Sequence, residues 1–216
     1  AAPGLTVTGA AVKPVGAVTG AHHRKAGRAT ANAATPRAPE AVGTPRLVLD
    51  AASGIVEDLA AVIVANKAAL SEIDGLIGDG DHGINMAKGF GRAAERLAGR
   101  SLALDAALLT LSDVLMSEIG GSMGPLYGFM FRDMARAVEG RTAIDADGFL
   151  VMLQAGLAGV TTTGAAKVGD KTLIDCLVPA VEAFDAARPQ GFAAALTAMA
   201  EAAVRGRDSS VDMVAK

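Results

Sequence analysis

Three aspartates and a histidine lie within nine residues of one glycine-rich stretch. Residues 73–86 read Ile-Asp-Gly-Leu-Ile-Gly-Asp-Gly-Asp-His-Gly-Ile-Asn-Met, with carboxylates at Asp74, Asp79 and Asp81 and an imidazole at His82. Carboxylates this close repel one another unless a cation lies between them. Hard oxygen ligands suit Mg²⁺, which keeps open positions for water and phosphate oxygens. The stretch is therefore predicted to bind magnesium; the alternative is a solvated loop in which Asp81 caps the following helix.

Three other cation- or phosphate-binding motifs do not fit this stretch. Gly78, Gly80 and Gly83 match the spacing of the dinucleotide fingerprint, but no strand precedes them and carboxylates would face the pyrophosphate. An EF-hand beginning at Asp79 needs ligands at its fifth and twelfth positions, where this chain has Gly83 and Phe90. A Walker A loop needs a glycine-lysine pair followed by a hydroxyl residue, which the chain lacks. A nucleotide site must therefore be built in another way.

A second glycine-rich segment, residues 120–128, reads Gly-Gly-Ser-Met-Gly-Pro-Leu-Tyr-Gly. A glycine turn that leads into a helix exposes unpaired backbone N–H groups at the positive end of the helix dipole, which suits phosphate. Ser122 could cap that helix or donate its hydroxyl to an oxygen, and Gly128 indicates close approach of another helix or a ligand. The alternative is a tight connection without a ligand.

A third segment, residues 164–175, reads Gly-Ala-Ala-Lys-Val-Gly-Asp-Lys-Thr-Leu-Ile-Asp. Asp170 could cap the next helix. Lys171 near the start of that helix opposes the helix dipole, which indicates a partner anion. The alternative is a loop with ordinary surface charge, and this segment taken alone favours it.

Helical periodicity accounts for most of the chain from Leu47 onward, and no strand pattern of comparable length appears. The connections are short and marked by Gly, Asp or Pro, so the pattern predicts an antiparallel all-α bundle with sites at helix ends or between helices. The predicted helices cover residues 47–63, 84–97, 104–119, 123–138, 147–163, 172–187, 192–204 and 209 to the end.

Composition supports this fold class and excludes several functions. Of the 216 residues, 51% are hydrophobic but only 3% are aromatic, which favours closely packed helices. The single cysteine, Cys176, excludes a disulfide framework and indicates a reducing compartment. The longest uncharged run, Gly148–Ala166, carries its large apolar side chains on one helical stripe, and no signal-peptide pattern is present. The net charge of only −3 argues against a nucleic-acid partner. Together with the cysteine content and the uncharged run, it predicts a cytoplasmic protein with no membrane and no nucleic-acid partner.

The charge divides the chain into two parts. Residues 1–46 hold six basic residues and one acidic residue, a charge of +5, which leaves −8 for residues 47–216. The first part also holds five prolines and no sustained helical period. It is predicted to be a flexible basic tail or linker, and residues 47–216 are predicted to form one helical domain.

The three segments together resemble the L subunit of the dihydroxyacetone kinases, in consistent order over about Leu47 to Lys216. The resemblance implies an antiparallel up-and-down α-helical barrel that binds ADP or ATP and two magnesium ions at its open end. It assigns the metal to Asp74, Asp79 and Asp81. Relatives continue with a Gly-Arg-rich segment and a final helix, so the resemblance also implies that a C-terminal segment is missing after Lys216.

The resemblance also implies roles for individual residues around the nucleotide. It implies a catalytic role for the three aspartates and His82. Many relatives have a small residue and then Ser or Thr after the paired glycines, whereas here Ser122 comes first and Met123 follows. The nucleotide contacts that it implies are His82, Gly83, Ile84 and Asn85 along the nucleotide, Gly121, Ser122 and Met123 at its phosphates, and Gly164 and Leu173 beside adenine.

The implied activity is transfer of a phosphoryl group from a magnesium-bound nucleotide to a short-chain ketose, which a separate K subunit holds covalently. The Asp-Gly-Asp-His-Gly form of the loop favours a phosphoenolpyruvate-dependent system, in which ADP stays bound and a third protein rephosphorylates it. One alternative is the L domain of an ATP-dependent kinase of dihydroxyacetone or erythrulose. The other is a non-catalytic nucleotide-sensing module that binds a regulator.

Overall fold

A computed structural model describes residues 45–76 and 78–214; the predicted tail 1–46 lies almost wholly outside this range. The described part holds eight α-helices, a short 3₁₀ helix and two strands of two residues. In chain order they are β1 Leu47–Val48, α1 Ser53–Ala65, α2 Lys67–Gly75, α3 His82–Leu97, α4 Leu104–Glu118, α5 Met123–Ala137, β2 Ala143–Ile144, α6 Ala146–Gly164, α7 Ile174–Ala187, the 3₁₀ helix Arg188–Gln190 and α8 Phe192–Ser209.

The predicted first helix, residues 47–63, is wrong at both ends. Leu47 and Val48 pair antiparallel with Ile144 and Ala143, a contact that local periodicity does not reveal. Ala51 adopts φ +58, which a right-handed helix cannot accommodate, so α1 begins only at Ser53.

Two further helix boundaries differ from the prediction. A separate helix, α2, follows α1 and carries Asp74 in its last turn. At the junction the Asn66 side chain donates to the Val62 carbonyl at 2.8 Å, which satisfies an oxygen at the end of α1. The predicted helix from residue 209 onward is also wrong, because α8 itself continues to Ser209 and a turn follows.

Consecutive helices pack side by side around two apolar clusters. The larger cluster joins α1, α3, α4 and α5, and Phe90 meets Phe131 edge to face at 6.0 Å within it. The smaller joins α6, α7 and α8 around Phe149, Phe184 and Phe192. The fold is therefore all-α and antiparallel, as predicted. No helix in the described part of the chain is both long enough and apolar enough to cross a membrane.

Glycines let some of these helices approach closely. A Cβ at Gly89 of α3 would lie 2.7 Å from the Leu115 side chain of α4. A Cβ at Gly128 of α5 would overlap the Met116 side chain, while the Ser112 hydroxyl donates to the Gly128 carbonyl at 2.8 Å. Gly128 thus allows a neighbouring helix to approach, one of the two predicted reasons for a glycine there.

The three chemistry-bearing connections lie at one end of the bundle because neighbouring helices run antiparallel. Lys88 of α3 donates to the Glu118 carbonyl at 3.1 Å, and Glu118 ends α4 just before the glycine turn. A Cβ at Gly164, the last residue of α6, would lie 3.4 Å from Leu126 in the first turn of α5. The starts of α3, α5 and α7 thus share that end with the last turns of α4 and α6.

Candidate functional site

The three aspartates predicted to bind metal come together in the structure. One carboxylate oxygen from each of Asp74, Asp79 and Asp81 lies within 4.8 Å of the other two. Asp74 is buried, with 9% of its surface exposed, whereas Asp79 and Asp81 are exposed in the connection between α2 and α3. The cluster therefore has one buried anchor and two oxygens open to a ligand. We call residues 74–82 the metal loop.

Glycines and main-chain donors shape the metal loop. A Cβ at Gly78 would lie 2.6 Å from the Asp74 Oδ1, so a side chain there would displace the buried carboxylate. Gly80 adopts φ +75, the left-handed region that favours glycine. The His82 N–H donates to Asp74 Oδ2 at 3.4 Å, a long hydrogen bond that leaves most of the acceptor capacity unused.

The electrostatics of the loop fit a divalent cation. Within the described part of the chain, no salt bridge joins these aspartates to a lysine or arginine, although like charges converge there. Asp81 precedes α3, but its side chain makes no capping bond; it accepts instead from the Asn85 side chain at 2.7 Å. The alternative in which Asp81 serves as a helix cap is therefore wrong. Three oxygen donors on a glycine loop are the ligand type that Mg²⁺ prefers.

His82 is the first residue of α3 and is 4% exposed. Burial lowers the pKa of its imidazole, against the opposing influence of the Asp74 and Asp81 carboxylates, so the neutral form is favoured. Its Nδ1 is buried and has no hydrogen-bond partner among the described residues. A buried nitrogen without a hydrogen-bond partner costs free energy, and His82 bears that cost at the start of α3.

The first turn of α3 combines close packing with exposed side chains. A Cβ at Gly83 would overlap the Lys67 carbonyl of α2, so only glycine lets the two helices meet at this point. Ile84 is half exposed and lines a depression of about 400 Å³ together with residues of α1 and α2. Gly83 therefore acts through packing, whereas Ile84 and Asn85 are accessible.

The glycine turn before α5 offers open main-chain donors. Gly121 adopts φ +72, and no heavy atom lies within 4 Å of a Cβ built at Gly120 or Gly121. Ser122 is exposed and forms no side-chain cap, so the capping hypothesis is wrong and its hydroxyl can point elsewhere. Met123 is buried, so it can offer its N–H but not its side chain. The first helical N–H groups lack partners within the helix, as anion binding requires.

The glycine turn and the metal loop lie at the same end of the bundle. Lys88, which contacts the Glu118 carbonyl, lies six residues after His82. With a rise of 1.5 Å per residue, His82 lies about 9 Å farther along α3 toward the open end. Gly120 and Gly121 follow Glu118 toward the same end. The two segments therefore lie at the same end of the bundle.

The connection between α6 and α7 differs from the prediction. Asp170 does not cap α7; its carboxylate accepts from the Lys167 N–H at 2.9 Å. The buried Asp175 organises the connection instead, because it accepts from Gly169 N–H at 2.6 Å and from Thr172 N–H at 2.8 Å. Sequence reasoning missed this role, although the pair Thr172 and Asp175 has the spacing of a capping box.

The ammonium group of Lys171, in the same connection, is hydrogen-bonded within the protein and does not face an anion. Its ammonium donates to the carbonyls of Val211 and Met213, beyond the end of α8. The structure places Gly164 and Leu173, the residues predicted beside adenine, at the two ends of this connection. Both residues thus flank a connection whose Lys171 side chain is already hydrogen-bonded within the protein.

Comparison with known proteins gives consistent matches. The family model described as the DAK2 domain matches residues 76–216. The ADP-binding subunit DhaL of PEP-dependent dihydroxyacetone kinase 1 from Listeria innocua is 40% identical over 129 residues, 59% of this chain and 65% of the relative. The corresponding subunit from Escherichia coli is 34% identical over 150 residues, 68% of this chain and 71% of the relative.

A solved structure agrees with these matches. The dihydroxyacetone kinase from C. freundii in complex with AMP-PNP and Mg²⁺ superposes with a TM-score of 0.58 at 27% identity, covering 83% of this chain and 33% of that one. The match to the Listeria subunit thus spans just under two thirds of that protein's length. Asp74 precedes the part matched by the family model, whereas Asp79 and Asp81 lie inside it.

Proposed function

This chain belongs to the DAK2 domain family, and from that premise we propose that it is the nucleotide-binding subunit of a dihydroxyacetone-type kinase. It transfers a phosphoryl group from a magnesium-bound nucleotide to a short-chain ketose held by a K subunit. The observation that carries the proposal is the convergence of three aspartate oxygens within 4.8 Å at the end of the bundle that also holds the glycine turn.

Asp74, Asp79 and Asp81 are the residues that would hold the metal in this proposal, as two magnesium ions. Their fit is supported by the exposure of two carboxylates and by the lack of a salt bridge to any of the three among residues 45–76 and 78–214. When bound, Mg²⁺ neutralises phosphate oxygens as charge develops during transfer. The buried Asp74 keeps its carboxylate in place through the His82 N–H.

The remaining residues orient the nucleotide. The N–H groups at Gly121, Ser122 and Met123 donate to phosphate oxygens from fixed positions, which stabilises charge without reorganisation. The neutral His82, which ends the metal loop, and the accessible Asn85, which follows it in α3, lie beside the nucleotide.

Other proposed contacts complete the nucleotide site. Gly83 keeps the start of α3 against α2, and Ile84 offers an exposed apolar side chain. Gly164 and Leu173 border the adenine.

The proposed partners follow from the relatives. The Listeria and Escherichia coli subunits are named as parts of PEP-dependent kinases, which supports ADP as a bound cofactor that a third, phosphoryl-donor protein recharges. The described residues form one helical bundle with the candidate site at one end. In this proposal the K subunit therefore presents the ketose at that end.

Calorimetric titration of ADP, with and without Mg²⁺, tests the metal assignment. In Asp79→Asn and Asp81→Asn, we expect ADP affinity in the presence of Mg²⁺ to fall by at least about 100-fold, because a coordinating charge is lost. Asp58→Asn, on the exposed face of α1, is the matched control and should bind as the wild type does. Unchanged affinity in the metal-loop variants would contradict the proposal.

A coupled assay tests the activity. We expect transfer to dihydroxyacetone on purified K subunit when phosphoenolpyruvate and its phosphoryl-donor proteins are supplied, and none with ATP alone. Transfer with ATP alone would instead identify an ATP-dependent kinase. Tight ADP binding without transfer under either condition would identify a nucleotide-sensing module.

A further inference from the structure

The connection between α6 and α7 has an unusually strained backbone. Three residues within seven adopt a left-handed conformation, Ala165 at φ +53, Gly169 at φ +92 and Lys171 at φ +61. Among the described residues, only one further non-glycine residue, Ala51, has a positive φ. Such conformations persist only where surrounding contacts hold them, and they concentrate at functional sites. The contacts that hold Lys171 therefore need an explanation.

The Lys171 side chain is committed to main-chain oxygens far away in sequence. Its Nζ donates to the Val211 carbonyl at 3.0 Å and to the Met213 carbonyl at 2.9 Å, 40 and 42 residues later. Hydrogen bonds from a charged donor are stronger than neutral ones. One ammonium group thus binds two carbonyls of the chain that follows α8.

A rigid frame surrounds Lys171 on both sides. The Asp175 carboxylate, 2% exposed, accepts from the N–H groups of Gly169 and Thr172, which bracket Lys171. A Cβ at Gly206 would overlap the Asp175 carbonyl, so the last turn of α8 lies directly against the first turn of α7. The lysine therefore projects from a held backbone toward a nearby chain.

The segment 211–214 carries apolar side chains that are not covered by the other described residues. Val211 is 68% exposed and Val214 is 82% exposed, although both follow a buried Ser210. Exposed apolar side chains on an otherwise fixed backbone suit the flat face of a planar ligand. Leu173, proposed beside adenine, is only two residues from the lysine that fixes this segment.

We propose that Lys171 is a positioning residue that fixes residues 211–213 beside the base end of the nucleotide site, so that this segment contributes to recognition of the base. This inference rests on the proposed function and adds one element to it. Lys171 acts through the main chain of Val211 and Met213 and touches no phosphate. Its loss therefore affects the part of the affinity that depends on the base.

The test compares two ligands, ADP and inorganic pyrophosphate, both with Mg²⁺, because only ADP carries a base. In Lys171→Met we expect ADP affinity to fall about 10-fold while pyrophosphate affinity stays unchanged. Lys171→Arg can still donate to both carbonyls and should retain ADP affinity. Lys167→Met, an exposed lysine of the same connection, is the matched control and should bind both ligands normally.

Hydrogen exchange supplies a second readout that needs no ligand. We expect amides of residues 211–214 to exchange faster in Lys171→Met, with unchanged exchange in α4 and α5. An equal loss of ADP and pyrophosphate affinity, or no change in either, would overturn the inference while leaving the proposed function intact. Failure of the wild-type chain to bind Mg²⁺ and ADP would overturn the proposed function and this inference with it.

Discussion

The metal loop and the connection between α6 and α7 lie at the same end of the bundle, but their charged side chains differ in how well the protein satisfies them with hydrogen bonds. In the metal loop, three carboxylates converge within 4.8 Å and accept only a few hydrogen bonds, of which two are 3.4 Å long. In the connection, Asp175 accepts two short main-chain hydrogen bonds and Lys171 donates two.

The difference separates the proposed binding site from the frame that holds it. A carboxylate whose partners belong to the protein contributes to stability, so its removal should cost stability. A carboxylate that repels its neighbours contributes to stability only when a cation arrives, so its removal should cost binding. The same residue type therefore has opposite effects in the two regions.

Removal of the Asp175 carboxylate should produce the largest loss of stability. In Asp175→Ala, the buried Thr172 N–H and the partly buried Gly169 N–H lose their acceptor, and we expect a loss of about 3 kcal/mol in the free energy of unfolding. Urea denaturation measures it. Asp175→Asn keeps one acceptor oxygen and should lose less. A stability equal to that of the wild type would show that this connection is not held by its own charges.

Neutralising a metal-loop carboxylate should abolish stabilisation by magnesium and nucleotide. At ligand concentrations near 100 times Kd, the wild type should gain about 2.7 kcal/mol, and Asp79→Asn should gain almost none. Without ligand, the variant should be as stable as the wild type or more stable, because repulsion is relieved. Thermal melts with and without Mg²⁺ and ADP measure both. A less stable ligand-free variant would break the contrast between the two regions.

Gly83→Ala should destabilise the junction between the metal loop and α2. A Cβ there would overlap the Lys67 carbonyl, and backbone cannot move aside as a flexible side chain can. We expect a loss of about 2 kcal/mol in the free energy of unfolding, measured by urea denaturation. Gly54→Ala, in the first turn of α1 with nothing within 4 Å of its Cβ, is the control that should lose no stability. Equal stability of the two variants would contradict the proposed packing.

The smallest expected effect is on the rate at which the Cys176 thiol is alkylated. Burial, and to a lesser degree the neighbouring Asp175 charge, raise its pKa, so less thiolate forms at a given pH than in the unfolded chain. Alkylation by iodoacetamide at pH 8 should therefore be slower in the folded protein than in urea, and it should speed up as the pH rises. Equal rates in both states would show that the first turn of α7 is open to solvent.

Local spacing predicted the convergence of the three aspartates, which are neighbours in sequence. Asp74, Asp79 and Asp81 span one loop, so their convergence needed no distant contact. The helices at 84–97, 104–119 and 123–138 agree within two residues with α3, α4 and α5, since their apolar residues recur on one face.

The errors fell where a distant partner decides the conformation. The periodicity predicts a helix at Leu47, but Leu47 pairs with Ile144. The sequence also offers Asp170 as a cap for α7, but its carboxylate accepts from the Lys167 N–H, and Asp175 organises the connection by accepting from Gly169 and Thr172. For Lys171 the sequence leaves open a partner anion or an ordinary surface position, whereas its ammonium binds carbonyls 40 and 42 residues away. No local pattern specifies such contacts, because the same types of side chain are equally common as solvated residues on the surface.

By itself, the sequence determined the fold class and the metal loop, because apolar periodicity and the spacing of carboxylates among glycines act within a few residues. Only the tertiary structure decided that His82 is buried, that Ser122 is no cap, and that the chain after α8 is fixed by Lys171. These outcomes depend on which helices meet at one end of the bundle. That choice is made by packing across the whole domain, where each contact is worth little until many form together.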